Sequence, residues 1–412
     1  MRTMNLALAF LFLITLIGST GCQASRETIE RPPQIVSLRK KAFDVETYKH
    51  LDSAWYKYYN AYPSEDAYSN WMYATKYTEN PKFRMLLKEG VKKFPGSPTL
   101  QYLFGVMASV YQEPGAGIPE MEKAAALDPD YDDPWYGLAT AYLSTGDEAR
   151  TDSALKRLLE LGAVTDDVMD YNYNVLSLLQ PNAILLTNGD NDTYPCWILT
   201  RVVKYRPDVA IVNRSLLETE WYSERLIQEG MPRFIDRETL TRLRKAPSVA
   251  DSSMFSGYYP RMAGDSLILR IIDAAKQAGR PVYAAASVHA TPTLQKLFDA
   301  ALPLGLVFFL TPSKDDSATL PTRAMKVWLN DFRTGGLDSW RLRYAKPSDS
   351  GKMLARNYAH GLPWLLYTLP PADAKELQPR VKEWFENHAA TLCDSVNTAA
   401  IRQYINAVCA EN

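Results

Sequence analysis

Cysteine and histidine are scarce, with 4 of each in 412 residues. That excludes a disulfide scaffold and most multi-ligand metal centres, which need several such residues at close spacing. No charge of one sign dominates either, since Lys+Arg 46 stand against Asp+Glu 47. A chain-wide electrostatic footprint for nucleic acid is thereby excluded. The sequence lacks a Gly-x-Ser-x-Gly elbow and a His-Glu-x-x-His motif, which removes two common hydrolytic chemistries. Beyond residue 22 the longest apolar run is Gly305–Leu310, sized for a buried strand and not for a membrane span. No cofactor motif is present. What remains is a globular composition, 46% hydrophobic and 23% charged, at a length that favours two or three domains.

The first residues give an address. Arg2 supplies a positive start, and Leu6–Ile17 is apolar except for Thr15, the length of a secretory h-region. Gly18-Ser19-Thr20-Gly21-Cys22 then resembles the lipobox of bacterial lipoproteins, with Ser19 where that family usually has Leu. The resemblance implies a signal peptide over 1–21 and a lipid on Cys22, which becomes the mature N-terminus. Gln23 in place of Asp implies sorting to the outer membrane. Two or three acyl chains would make the anchor stable. Residues 22–42, including Pro32-Pro33, read as a polar tether that lets the body stand off the bilayer.

Residues 43–180 have a helical texture with a period. Pro95 and Pro129 lie 34 residues apart (129 − 95), each closing one helix before the next turn. Phe104-Gly105, Ala108, Met121 and Ala124, then Trp135, Leu138-Ala139, Tyr142 and Gly146, alternate large and small residues. This resembles the tetratricopeptide repeat, with two good units and one degenerate one. Trp55, Tyr56, Tyr58, Tyr59, Tyr62, Tyr68, Trp71, Tyr73 and Tyr77 crowd the start of this half. They read either as interior packing or as a partner surface, because neighbours on a helix point about 100° apart.

Residues 181–312 change texture. Ala183–Thr187, Asp208–Asn213, Pro281–Ala286 and Leu306–Leu310 read as strands, with helices near Asp265–Gln277 and Thr293–Ala301 between them. Alternating strands and helices predict a mainly parallel sheet, with sites beyond the strands' carboxyl ends. Asn188-Gly189-Asp190-Asn191-Asp192 lies at such an end, and Thr193 reads as the N-cap of the next helix. Asp190, Asn191 and Asp192 offer oxygen ligands for a hard cation, so Asp190 and Asp192 are candidate metal ligands. The same residues also suit turn and cap chemistry. Asn213, Glu218 and Trp221 could line the same cleft, with Glu220 beside them. Ser287 and His289 form a weaker pair.

"AILLTNGDNDTYPCWILTRVVKYRPDVAIVNRSLLETEWY" resembles the extracytoplasmic C-terminal part of bacterial protein O-mannosyltransferase-like membrane proteins. "GRPVYAAAS" and "LGLVFFLTP" fit later strands of that part, so the resemblance covers about Pro181–Pro312. The catalytic half of those enzymes, a multipass membrane domain, has no counterpart in this sequence. Residues 313–412 return to helices, near Gly351–Leu369, Ala372–Ala389 and Thr398–Val408.

The fold expected is therefore a multidomain α and α/β chain: helical repeats, an α/β domain and C-terminal helices. The function expected is an outer-membrane lipoprotein that binds protein through the repeats, or a glycan, and serves assembly. The alternative is an envelope enzyme acting on glycans or phosphorylated lipids through Asp190-Asn191-Asp192. Of the cysteines, Cys196 is expected buried and reduced, and Cys393 and Cys409 unbridged.

Overall fold

Helix pairs fill the first half of the computed structural model, which describes residues 29–407 apart from 79, 112, 220 and 246–263. Cys22, Glu220 and Cys409 fall outside the described residues. The pairs are built from α1 (Val45–Ala61), α2 (Glu65–Lys76), α3 (Phe83–Lys93), α4 (Pro98–Tyr111), α5 (Ile118–Leu127), α6 (Asp133–Thr145), α7 (Glu148–Glu160) and α8 (Asp166–Ser177). Sequence punctuation sets their starts. Asp44 and Ser64 accept backbone N–H groups of Thr47 and Ala67 and cap α1 and α2. Pro119 and Pro134 sit in the first turns of α5 and α6, where a missing N–H costs nothing. α1 packs on α2, α4 on α5 and α6 on α7. The α4–α5 approach needs glycine: a Cβ on Gly117 would stand 1.9 Å from the Gly105 carbonyl oxygen.

The aromatic stretch is part interior and part surface. Trp55, Tyr68, Trp71 and Tyr73 are buried, whereas Tyr56 and Tyr62 are 48% and 43% exposed.

The sheet follows, with β1 (Ile184–Thr187), β2 (Ala210–Asn213), β3 (Val282–Ala285), β4 (Leu302–Pro303) and β5 (Val307–Phe309) in the order β2-β1-β3-β5-β4. β1 runs parallel to β2 and β3, but β5 runs antiparallel to β3 and to β4. The sheet is thus mixed where a mainly parallel one was expected. The reason lies in the connection. A parallel return needs a crossover of a dozen or more residues, usually a helix spanning the sheet. Between β3 and β5 the chain is long enough, but it holds only the five-residue helix Gln295–Asp299, too short to span the sheet, and a hairpin turned at Gly305, φ +83.

The helices of this part are α9 (Asp190–Trp197), which packs on β2, α10 (Tyr222–Gln228), α11 (Arg237–Lys245), α12 (Gly264–Gln277) and the short α13 (Gln295–Asp299). The C-terminal elements are α14 (Lys314–Asp331), α15 (Trp340–Tyr344), α16 (Ser350–Thr368), α17 (Pro371–Trp384) and α18 (Ser395–Ala407). Trp328, Tyr358 and Trp384 from three of these helices meet ring to ring. α16 also packs on α8, α9 and β4. One buried apolar cluster extends from Ile35 to Ile405 through all these parts. Cys196 is buried, and Cys196 and Cys393 are free thiols.

The segment read as a tether behaves differently from Ile29 onward. Ile35 and Ser37 are 4% and 3% exposed. Trp55 Nε1 donates to the Pro33 carbonyl at 3.0 Å, and the Ile35 N–H donates to Asn70 Oδ1 at 2.9 Å. Further on, Lys41 bridges Asp349 in antiparallel fashion, and Ser350 Oγ donates to the Leu38 carbonyl at 2.7 Å. Residues 29–42 form a strap laid across the protein. Its apolar Ile35 needs a buried site, and its unpaired backbone groups need partners.

Candidate functional site

The loop after β1 and the middle of the strap meet at one junction. Thr187 and Asn213 are register partners at the ends of β1 and β2. The Asn213 amide donates to Thr193 Oγ1 at 2.8 Å, and Thr187 and Thr193 share a hydroxyl hydrogen bond of 2.7 Å. Asn213 Oδ1 accepts the Leu216 N–H at 2.8 Å. Thr193 is therefore an interior residue and not the N-cap. The helix begins at Asp190, with Gly189 as its N-cap. Asp192, in the first turn, accepts the N–H groups of Asn188 at 2.7 Å and Gly189 at 2.8 Å, and the Ser287 hydroxyl at 2.5 Å. Burial raises the pKa of Asp192, and those three donors only partly offset it.

Asp190 points elsewhere. Its Oδ2 lies 3.0 Å from Arg39 Nη1, with its side chain 47% exposed. Arg39 is the strap's one deep cation. It pairs with Asp133 at 2.6 Å, donates to Tyr102 Oη at 3.3 Å and lies over the Tyr136 ring at 4.1 Å. Burial works against the Arg39 charge, but Tyr102, Asp133 and Asp190 overcome it and hold its pKa well above the usual value. Asp133 also accepts from Tyr73 at 2.5 Å. Its burial is outweighed by Arg39 and Tyr73, so its pKa is lowered. Asn191 Nδ2 reaches the Arg39 carbonyl at 3.3 Å.

Lys76 stands beside this group. Its ammonium lies 5.3–5.8 Å from the Tyr73, Tyr77 and Tyr102 rings. Burial, then the neighbouring Arg39, lowers its pKa to about 8. A cavity of about 420 Å³ opens between Arg39, Lys40, Asp132, Thr165, Asn191 and Arg341.

Asp190, Asn191, Asp192, Thr193 and Asn213 are thus brought together, but through separate partners. The two carboxylates do not converge. Among the described residues no group of three or more His, Cys, Asp or Glu is arranged to hold a metal ion. Glu218 accepts the N–H of Gly264 at 3.0 Å, at the start of α12. Trp221 meets Tyr222 edge to face at 5.3 Å. Ser287 serves Asp192, and His289 is exposed, its carbonyl accepting from Arg214 at 3.2 Å.

Residues 168–231 match the family TMEM260-associated domain 2. The match links this stretch loosely to the O-mannosyltransferase-like family. It begins inside α8, earlier than the resemblance over Pro181–Pro312, and stops before β3. That start agrees with the packing of α8, where the Asn172 amide donates to the Asn191 carbonyl at 2.9 Å and Cys196 Sγ lies 3.5 Å from Asn172 Oδ1. Among curated proteins, nothing matches the chain.

Sequence reasoning missed Arg39, Asp133, Tyr102 and Lys76, and named Tyr73 only within the aromatic stretch. Asp132-Asp133-Pro134 signals a helix start and nothing more. Arg39 sits 94 and 151 residues from its two carboxylates, so no local pattern announces it.

Proposed function

We propose that the protein is a cell-envelope lipoprotein, held in the membrane through Cys22, that acts as a protein- or glycan-binding or assembly component. In this reading the helix pairs are tetratricopeptide-like repeats and offer the partner surface. One observation carries it: both carboxylates of the Asp190–Asp192 loop are already engaged. Asp192 accepts two backbone N–H groups and a hydroxyl, and Asp190 pairs with Arg39. A general acid or base has to reach a substrate proton, and a cation needs several converging oxygens. Here the loop instead joins the helical half to the α/β half, which is what a scaffold needs.

Membrane fractionation tests the anchor. Cys22→Ser should release the protein from the membrane fraction or leave its precursor unprocessed. A variant that fractionates and migrates like the wild type rejects the lipoprotein reading. Affinity isolation from solubilised membranes should then recover a bound protein or glycan. Hydrolysis of an envelope glycan or phosphorylated lipid that Asp190→Asn abolishes would instead support the enzyme.

A further inference from the structure

We propose that the face of α1 around Tyr58 and Tyr62 rests on the phospholipid headgroups of the membrane that holds the anchor. This rests on the lipoprotein reading above. The geometry starts from where the strap joins the body. Arg31 pairs with Asp66 at 2.9 Å and lies over the Trp55 ring at 5.2 Å. Pro33 is held by Trp55. The chain therefore leaves the folded body at the Trp55–Asp66 corner.

Only residues 23–28 separate Cys22 from Ile29. Seven steps of extended chain reach at most about 25 Å. A compact chain of this length has a radius of gyration of about 21 Å, hence a width of roughly 50 Å. A lipid on Cys22 thus cannot bring the far side of the body to the bilayer. The surface around the exit corner faces it.

That surface has the chemistry of a headgroup contact. Tyr58 meets Trp55 at 5.5 Å, and Tyr62 meets Tyr58 at 5.1 Å, so the rings continue outward from Arg31. Tyr62, Tyr56 and Ile29 are 43%, 48% and 39% exposed. Lys57 is exposed on the same helix, and Lys93 donates to Tyr59 Oη at 2.5 Å. Tyrosine pairs an apolar ring with a polar tip and settles at the membrane–water boundary, while lysines favour anionic lipid phosphates. A second exposed pair, Trp340 and Tyr344 at 70% and 71%, provides the contrast. It lies on α15, whose Arg341 binds Asp349, the partner of Lys41 at the other end of the strap.

The test uses full-length, lipid-bearing protein in vesicles of phosphatidylethanolamine and phosphatidylglycerol. The photoreactive residue p-benzoylphenylalanine replaces Tyr62 in one sample and Tyr344 in the other. Lipid cross-linking from position 62 should exceed that from 344 roughly tenfold, because the short tether keeps one site at high effective lipid concentration. Equal yields, or a cross-link from position 62 to protein instead of lipid, overturn the proposal. Fractionation of these samples beside a Cys22→Ser variant separates the two failures. If Cys22→Ser leaves vesicle attachment unchanged, the lipoprotein reading has failed. If attachment needs Cys22 but position 62 labels no lipid, this proposal alone has failed.

Discussion

The loop at Asn188–Asp192 and the strap at 29–42 both read in sequence as polar connecting segments. They satisfy themselves in opposite ways. Asp192 finds two of its three donors within four residues, at Asn188 and Gly189. The strap finds its partners at Asn70, Tyr102, Asp133, Asp190 and Ser350. The loop is local chemistry that any strand-to-helix turn could use. The strap is a set of contacts that exists only once the rest of the chain has folded. Polarity in a sequence therefore tells what a segment can bond to, but not from how far the partner comes.

The contrast breaks first at Arg39. Arg39→Ala leaves Asp133 buried without its cation, and losing one partner of a buried pair costs about 3–5 kcal/mol. Urea denaturation measures it; a loss below about 1 kcal/mol would mean that the strap adds little beyond ordinary surface pairing. The pH dependence follows from Asp133. Its lowered pKa makes its contribution present above the ordinary 3.8 and lost as pH falls through the depressed value.

Lys76 gives the next largest effect, with the same sign of pH dependence but in an alkaline window. Its folded pKa of about 8 lies below the ordinary 10.5, so the unfolded chain binds more protons between these values and stability rises with pH across that window. The shift bounds the gain at about 3 kcal/mol. Lys76→Met should abolish the rise, and denaturation curves that stay parallel to the wild type from pH 8 to 10.5 would refute the assignment.

Asp192→Ala removes the loop's internal acceptor and should cost about 0.5–2 kcal/mol. Melting should be indifferent to Ca²⁺, Mg²⁺ and Mn²⁺ in wild type and variant alike. A melting temperature that climbs with one of these ions only when Asp190 and Asp192 are both present would restore the metal reading. Asp190→Asn should do least, at most about 1 kcal/mol, because its pair with Arg39 is half open to water.

Strands and many of the helices were legible because their signals are periodic and local. Ala183–Thr187, Asp208–Asn213, Pro281–Ala286 and Leu306–Leu310 contain the observed β1, β2, β3 and β5. The helices near Asp265–Gln277, Gly351–Leu369 and Thr398–Val408 lie within a few residues of α12, α16 and α18. The direction of β5 was not legible, because apolar content is the same whichever way a strand runs. The N-cap was misplaced for a related reason: Thr193 is a good capping residue, but it lies inside α9 and its hydroxyl accepts from Asn213 at the end of β2. Of the site, the residues of the loop were legible and their partners were not. Arg39 looked like one more charge on a linker.

The hydrogen bond from Ser350 to Leu38 joins positions 312 residues apart. Closing a loop that long costs chain entropy that no local contact repays, so the strap should be among the last parts to settle during folding. Residues 29–42 are made early in synthesis, yet their seat at Asp349 and Ser350 arrives near the end. Until then this stretch is open to proteases. Its resistance to cleavage is therefore a readout of completed folding, built into a segment made early in synthesis.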